Sequence, residues 1–267
     1  MACTATATRS IHEDVVKILE MSDYVSVSLP PDRPNIKYEV KKRTDPAIDL
    51  HELLKSLRVH LIYAPRVVVY CKTLMMCAEL FSHFSYEMGD RQYYPPGALH
   101  LSDNRLFGMF HASTPQHSKE VITQSLLDPC GVVRIVFASV AMGMGVDLQV
   151  VNTIIHYGAP SSIEDYFQAS GRGGRKGEFA CSRIYWTRTD CPMWKNPTTT
   201  HQREVNCVRK YLDNSSICRR KWLLEYFDPK NAKPGEDPIT CCDVCEAMAL
   251  SECTLTFPAL EAEICDI

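Results

Sequence analysis

Arginines set among glycines are the residues of this sequence whose types and spacing first suggest chemistry. Between Gln168 and Gly177, four glycines surround Arg172 and Arg175, which lie three residues apart. A guanidinium group binds phosphate oxygens through paired hydrogen bonds, and glycine lets the backbone approach an anion closely. The pattern therefore predicts a phosphate-binding loop. The alternative is a solvated basic loop, which leaves the glycines and the preceding glutamine unexplained.

A second group of glycines lies upstream, after a strand-like segment that ends at Ala138. It contains Gly143 and Gly145, and Asp147 follows two residues later. Glycines in this position free backbone N–H groups for an anion, and an aspartate beyond them can hold a ribose hydroxyl or a cation. Alone the pattern is weak, because a G-x-G after a strand is often an ordinary tight turn.

The cysteines suggest a metal site. The chain has 13 of them, and Cys241, Cys242 and Cys245 lie within five residues, with Cys218 upstream on a predicted helix. Zinc binds four thiolates tetrahedrally, and a C-x-x-C turn presents two of them. Because the chain is large and begins without an apolar secretory segment, we expect reduced thiols rather than disulfides. The alternatives are unrelated buried thiols, or a ligand supplied by one of two spare cysteines, Cys207 and Cys253.

The composition limits the class of protein that carries these residues. Hydrophobic residues make up 45% of the chain and charged residues 23%, and the formal net charge is −3. These values are typical of a globular protein with a core, and they exclude a wholly disordered chain and a uniformly basic surface. No apolar run of about 18 residues occurs, so we expect no membrane partner.

Strand-like and helical segments alternate between residues 66 and 186. The predicted strands are 66–71, 105–110, 132–138, 152–157 and 180–186, and the predicted helices are 74–86, 118–127 and 162–170. Such alternation is typical of a parallel sheet with helices on both faces, which binds ligands at the carboxyl ends of its strands. A proline-containing linker near residues 190–200 precedes further helices and the cysteine cluster, so we place a domain boundary there.

These motifs together resemble a known family. The segment from Gln168 to Arg175 resembles motif VI of superfamily 2 helicases, and the cysteines narrow the resemblance to the RecQ family of DNA helicases. Further segments resemble RecQ landmarks in the expected order: residues 4–8 (motif III), 32–35, 67–71 (motif IV), 110–113 and 138–147 (motif V). The resemblance covers about residues 3–246. The chain departs from the family at Ala169 and Lys176, where acidic residues are usual.

The resemblance implies a RecA-like parallel sheet, the second lobe of a helicase, followed by a small helical zinc-binding subdomain. It implies that Arg175 is an arginine finger on the γ-phosphate, that Arg172 acts beside it, and that Gln168 positions both. The nucleotide would also be bound by residues of motif V, Gly143, Gly145 and Asp147. Zinc would be bound by the four cysteines already named, Cys218, Cys241, Cys242 and Cys245.

The function that the resemblance implies is ATP-dependent 3′–5′ unwinding of DNA in recombination, repair and replication. The 267 residues contain no G-x-x-x-x-G-K-[ST] phosphate loop and no Asp-Glu-Ala-His-like segment that would supply an acidic pair for Mg²⁺. We therefore expect ATP and Mg²⁺ to be shared with a missing first RecA-like lobe, and the isolated chain to have no turnover. The alternative is a non-enzymatic, zinc-containing DNA-binding or regulatory module. An RNA helicase is disfavoured by Gln168 and by the cysteines.

The expected organisation and partners follow. Residues 1–45 are assigned to the end of the first lobe and a connector, 46–195 to the second lobe, 196–250 to the zinc-binding subdomain and 251–267 to a tail. Eight basic against four acidic residues between Arg203 and Lys233 predict contacts to the backbone of DNA, single-stranded or at junctions; a solvated helix face is the alternative. We expect removal of zinc to disorder the chain from about residue 203. The family implies the nucleus, with the cytoplasm as the alternative.

Overall fold

A computed structural model gives the structure of the protein and describes residues 9–27, 31–139, 151–227 and 232–256. The motif V residues Gly143, Gly145 and Asp147 lie outside the described residues, as does the segment 4–8. None of the described helices combines the length and the apolar character that crossing a bilayer requires.

A parallel sheet forms the centre of the protein. Within the described residues it has six strands in the order β1-β6-β5-β2-β4-β3. The strands are Ile36–Lys42 (β1), Val67–Cys71 (β2), Phe107–Phe110 (β3), Ile135–Ala138 (β4), Thr153–Tyr157 (β5) and Ala180–Trp186 (β6). Every residue of β2 and β4 is buried, as expected for β-branched runs covered on both faces. The predicted parallel α/β fold is confirmed.

Helices cover both faces of the sheet. The described α-helices are Arg9–Ile18 (α1), Pro46–Asp49 (α2), His51–His60 (α3), Leu74–Met88 (α4), Gln116–Leu127 (α5), Ile163–Ser170 (α6), Thr200–Asp213 (α7), Arg219–Phe227 (α8), Pro238–Cys241 (α9) and Asp243–Thr256 (α10). Helices α3 and α4 pack on one face, through Leu54, Leu57 and Leu80. Helices α5 and α6 pack on the other face, against Val68 and Ile154.

The helices after the second lobe share a core with the sheet. Val208 and Tyr211 of α7 and Leu223 of α8 lie in the same buried cluster as Ile36 and Tyr38 of β1. All five side chains are at most 2% exposed. Burial of this kind stabilises α7 and α8 without a metal, because each fully buried side chain contributes roughly 1.5–3 kcal/mol. We therefore expect removal of zinc to disorder a shorter part of the chain than the range from about residue 203 onward.

Candidate functional site

The loop at residues 171–177, which we call the arginine loop, lies at the amino ends of the strands. The Gly174 amide donates to the carbonyl of Val151, just before β5, and the Ala180 amide at the start of β6 donates to the carbonyl of Asn35, just before β1. The general rule for such sheets had predicted the carboxyl ends. The difference arises because α6 starts beyond the carboxyl end of β5 and runs back across the sheet before the loop begins.

The backbone of the arginine loop requires glycine at one position in particular. Gly174 has φ +55°, and a Cβ there would lie 2.2 Å from the carbonyl oxygen of Glu178 and 2.5 Å from Nδ2 of Asn35. Gly177 also has a positive φ, +93°, but a Cβ there would meet open space. The loop therefore needs glycine at Gly174 for a close contact as well as for its positive φ, whereas at Gly177 only the positive φ favours glycine.

The amides of the arginine loop are used to hold the loop together. Five of them donate to backbone carbonyls at 3.0 Å, from Gly171, Arg172, Gly173, Gly174 and Gly177. These N–H groups are therefore engaged within the protein.

The predicted phosphate-binding residues differ in exposure. Arg172 is buried, at 6% exposure, whereas Arg175 is exposed and Gln168 lies on the exposed side of the last turn of α6. The structure brings the two arginines together near Tyr70 of β2. Burial raises the pKa of Tyr70, and the charges of Arg172 and Arg175 partly oppose that rise.

A buried aromatic group lies behind these arginines. Tyr70 stacks on His156 of β5 with ring centroids 5.2 Å apart, and His156 meets the ring of Tyr166 edge to face. Burial lowers the pKa of His156 to about 3, so its imidazole is neutral at physiological pH. The three buried rings therefore form an uncharged surface next to the two arginines.

The carbonyl side of the arginine loop is held by a short segment before β1, residues 32–35, which turns at residues 34 and 35 and which we call the strap. The guanidinium of Arg33 donates to the carbonyls of Gly171 (3.1 Å), Gly173 (3.3 Å) and Gly174 (2.7 Å). Asn35 donates from Nδ2 to the carbonyls of Gly174 and Glu178. Sequence reasoning missed the role of Arg33, because an arginine in a short segment between elements belongs to no periodic pattern.

The four predicted zinc-ligating cysteines converge on one point, the cysteine centre. The Sγ atoms of Cys218, Cys241, Cys242 and Cys245 all lie within 4.8 Å of one another. Cys218 directly precedes α8, Cys241 ends α9, and Cys242 and Cys245 lie at the start of α10. Among the described residues, these four form the group of potential ligands that could hold a metal ion.

The geometry of the cysteine centre fits a tetrahedral ion. Sγ of Cys218 lies 3.5 Å from Sγ of Cys241 and 4.0 Å from Sγ of Cys242. A tetrahedron with Zn–S bonds of about 2.3 Å has S–S edges of about 3.8 Å, between these two values. Cys207 of α7 lies outside the group, and burial raises the pKa of its thiol.

Backbone amides around the cysteine centre favour thiolate. The amides of Arg219 and Cys245 each donate to Sγ of Cys242 at 3.4 Å, and the amide of Gly235 donates to Sγ of Cys241 at 3.2 Å. Hydrogen bonds from the Cys218 and Cys241 thiols, and these amides, lower the pKa of Cys242 despite its burial. Four cysteine sulfurs that can bind one ion as thiolates are the ligand set that zinc prefers.

Two family models match the chain on either side of the linker. The helicase conserved C-terminal domain matches residues 49–177, ending with the arginine loop, and the RecQ zinc-binding model matches residues 189–246, which contain the cysteine centre. The chain belongs to the RecQ helicase family. This RecQ chain carries both parts in the family's order.

Several curated proteins resemble this RecQ chain over most of its length. It is 29% identical over 261 residues to the ATP-dependent helicase wrn-1 of Caenorhabditis elegans, covering 93% of the chain and 23% of the relative. It is 26% identical to the ATP-dependent DNA helicase hus2/rqh1 of Schizosaccharomyces pombe and 27% identical to the bifunctional 3'-5' exonuclease/ATP-dependent helicase WRN of Mus musculus. Both matches cover 92% of the chain, and 18% and 17% of the relatives. The RecQ chain thus spans less than a quarter of each.

Solved structures share the fold at low identity. The Saccharomyces cerevisiae Dbp5 structure bound to RNA and ADP BeF3 has a TM-score of 0.51 at 14% identity, over 79% of this chain and 48% of that one. The DEAD-box helicase Mss116 bound to ssRNA and UDP-BeF also has a TM-score of 0.51, at 16% identity, over 68% and 35%. These matches support the RecA-like second-lobe fold.

The predicted basic patch of the RecQ chain is smaller than its sequence suggests. Arg219 and Arg220 are 5% and 1% exposed and pair with the carboxylates of Asp243 and Asp32. Both guanidinium groups are therefore buried in ion pairs within the protein and are not accessible to DNA. Nearby aromatic side chains pack against the shared core: Trp222, Tyr226 and Phe227.

Proposed function

We propose that this chain acts as the second RecA-like lobe and zinc subdomain of an ATP-dependent 3′–5′ DNA helicase that works in the nucleus in recombination, repair and replication. The observation that carries the proposal is the arrangement of two motifs on one fold. An arginine loop lies at the amino edge of a RecA-like sheet, and a four-cysteine centre packs beside it. Membership of the RecQ family supports DNA as the substrate.

In this proposal the arginine loop completes an ATP site whose phosphate loop and Mg²⁺ ligands come from residues outside these 267. Arg175, being exposed, reaches the γ-phosphate as an arginine finger, and Arg172 supports it from its buried position. Gln168 orients both groups from the last turn of α6. The nucleotide is further bound by the motif V residues, Gly143, Gly145 and Asp147.

The cysteine centre binds one Zn²⁺ through Cys218, Cys241, Cys242 and Cys245. The ion supplies no reaction step; it supplies four bonds that fix α8, α9 and α10 to one another. The chain's own amides donate to two of these sulfurs, from Arg219 and Cys245 to Cys242 and from Gly235 to Cys241, and favour their thiolate forms. The zinc subdomain thereby holds its shape where few apolar side chains are available.

DNA binding is assigned to exposed basic residues of the same subdomain. Arg203, Lys210 and Lys233 are exposed, unlike Arg219 and Arg220. Contacts from such side chains to phosphates give affinity that depends on salt and carries little base specificity. We therefore propose binding to the backbone of single-stranded DNA and of junctions.

An ATPase experiment tests this function. The 267-residue chain alone is expected to hydrolyse ATP at background, because it contains no phosphate loop. Joined to the first lobe of the nematode relative, it should show DNA-stimulated hydrolysis. Arg175→Ala should lower that rate by roughly 10³–10⁵-fold, the usual contribution of an arginine finger.

Lys176→Ala is the matched control, because it removes a neighbouring exposed charge from the same loop and should leave the rate within a few-fold. An equal loss in both variants would assign the effect to loop charge in general and remove Arg175 from its role. A joined protein that binds DNA but never hydrolyses ATP would favour the non-enzymatic DNA-binding module.

A further inference from the structure

One side chain of the zinc subdomain reaches the arginine loop through the strap. Arg220 of α8, two residues after Cys218, is 1% exposed, the largest of the fully buried side chains. A buried guanidinium is costly unless its N–H groups are paired, so its partners identify what it holds. The acceptors of its Nη1 and Nη2 groups are all in the strap and the first residue of β1, and the guanidinium also lies beside the Cys241 thiol and over the ring of Tyr38.

The contacts of Arg220 fix the backbone of the strap. Nη1 donates to the Asp32 carboxylate and to the Arg33 carbonyl, both at 2.7 Å. Nη2 donates to the carbonyls of Pro34 (3.3 Å) and Ile36 (2.5 Å). Together with the turn bond from the Ile36 amide to the Arg33 carbonyl, these four bonds set the position of the strap relative to α8.

The side chain of Arg33 links the strap to the arginine loop, so the position of the strap determines that of the loop. Its three acceptors are the carbonyls of Gly171, Gly173 and Gly174, which flank Arg172 on both sides and directly precede Arg175. A shift of the strap therefore moves both arginines. Catalytic geometry is sensitive to this, because a misplacement of about 1 Å can cost about 10²-fold in rate.

We propose that Arg33 is a positioning residue for the arginine loop, and that Arg220 of the zinc subdomain sets the position of Arg33. The zinc subdomain then acts on the ATP site of the lobe, in addition to any contact with DNA. The consequence for hydrolysis rests on the proposed function, whereas the positioning of the loop is independent of nucleotide.

The first measurement uses hydrogen exchange of the 267-residue chain without nucleotide. The five bonded amides of the arginine loop report its order directly. Arg33→Ala should raise their exchange rates about tenfold or more, since charge-assisted hydrogen bonds to three carbonyls are lost. Arg33→Lys should give a smaller increase, because an ammonium cannot reach three carbonyls as a fork does. The amides of β4 should not change.

Two further variants separate this relay from a general loss of stability. Asp32→Ala removes one Arg220 contact and keeps both arginines, so it should raise loop exchange less than Arg33→Ala. The double variant, Asp32→Ala with Arg33→Ala, should then show the same exchange rates of the loop amides as Arg33→Ala alone. Arg209→Ala is the matched control, because Arg209 also donates to backbone carbonyls, those of Arg188 and Cys191, but away from the arginine loop.

The outcomes separate this proposal from the proposed function. The positioning role is overturned if the exchange rates of the loop amides are unchanged in Arg33→Ala, or if they rise equally in Arg209→Ala. If Arg33→Ala does not fold, the same comparison is made with Asp32→Ala. In the joined protein, Arg33→Ala should lower kcat for ATP about tenfold or more with a smaller change in KM. Faster loop exchange with an unchanged kcat would keep the positioning role and refute the ATP role of the arginines.

Discussion

Replacing a single sulfur of the cysteine centre should remove the metal. Each of the four Sγ atoms supplies one corner of a tetrahedron, and the two measured edges already bracket the value of about 3.8 Å that zinc requires. Structural zinc binds cysteine sites with roughly 10–16 kcal/mol at neutral pH. One quarter of that is about 2.5–4 kcal/mol, so Cys218→Ser should weaken zinc binding roughly 10²- to 10³-fold.

The assay is metal content by elemental analysis, followed by competition with a chromogenic chelator. We expect one zinc per chain in the unaltered protein and none after chelator treatment of Cys218→Ser or Cys245→Ser. Cys207→Ser is the control, because its thiol lies outside the centre, and it should keep its zinc. Absence of zinc from freshly purified protein would refute the assignment. So would a Cys207→Ser variant that loses zinc while Cys218→Ser retains it.

The structural response to chelation should be local. Hydrogen exchange is expected to rise over residues 232–246, where α9 and the start of α10 depend on the cysteine centre. It should rise little in α7 and α8, because Val208, Tyr211 and Leu223 are buried in the core that they share with β1. Simultaneous unfolding of α7 with α9 would show that the apolar contacts of α7 are weaker than their burial indicates.

Two further predictions concern stability. Gly174→Ala should destabilise the fold by about 2–4 kcal/mol in urea unfolding, because its Cβ would overlap the Glu178 carbonyl oxygen, whereas Gly177→Ala should cost only about 1–2 kcal/mol for its positive φ; equal losses would contradict the close approach at Gly174. The pKa of His156 is lowered from 6.5 to about 3 in the folded protein, so the unfolded chain takes up a proton first as pH falls, and stability is lost from about pH 6.5 downward. His156→Phe should abolish about 3 kcal/mol of the fall in unfolding free energy between pH 7 and pH 4; a parallel fall in both proteins would contradict a neutral, buried imidazole.

The parts of the structure that could be predicted from the sequence are those written in local patterns. The continuous apolar run of β2 and the helical spacing of α4 are local patterns. The predicted bounds of both elements therefore agree with the structure to within two residues. The cysteine centre was predictable because three of its four sulfurs lie within five residues. The predicted helix 162–170 agrees with α6, whose N-cap Ser162 accepts a hydrogen bond from the Asp165 amide.

The parts that could not be predicted depend on contacts between distant residues. Arg33 and Gly171 are 138 residues apart, and Arg220 and Asp32 are 188 apart. Nothing in the local sequence distinguishes a buried arginine that ties backbone together from an exposed one that binds DNA. Burial decides this, and it removed Arg219 and Arg220 from the predicted basic patch. Exposure also distinguishes Arg172, which is buried, from Arg175, which is exposed, although their spacing alone treats them as equivalent.

The position of β1 limits how this protein can have changed by exchange of segments. Its residues lie before both ranges that the family models match, 49–177 and 189–246. Yet β1 pairs along its whole length with β6, and its Ile36 and Tyr38 side chains form the surface on which α7 and α8 pack. A recombination event that transferred only the zinc-binding segment would leave that surface behind. We therefore expect β1 and the helices of the zinc subdomain to be inherited together, although some 150 residues of chain separate them.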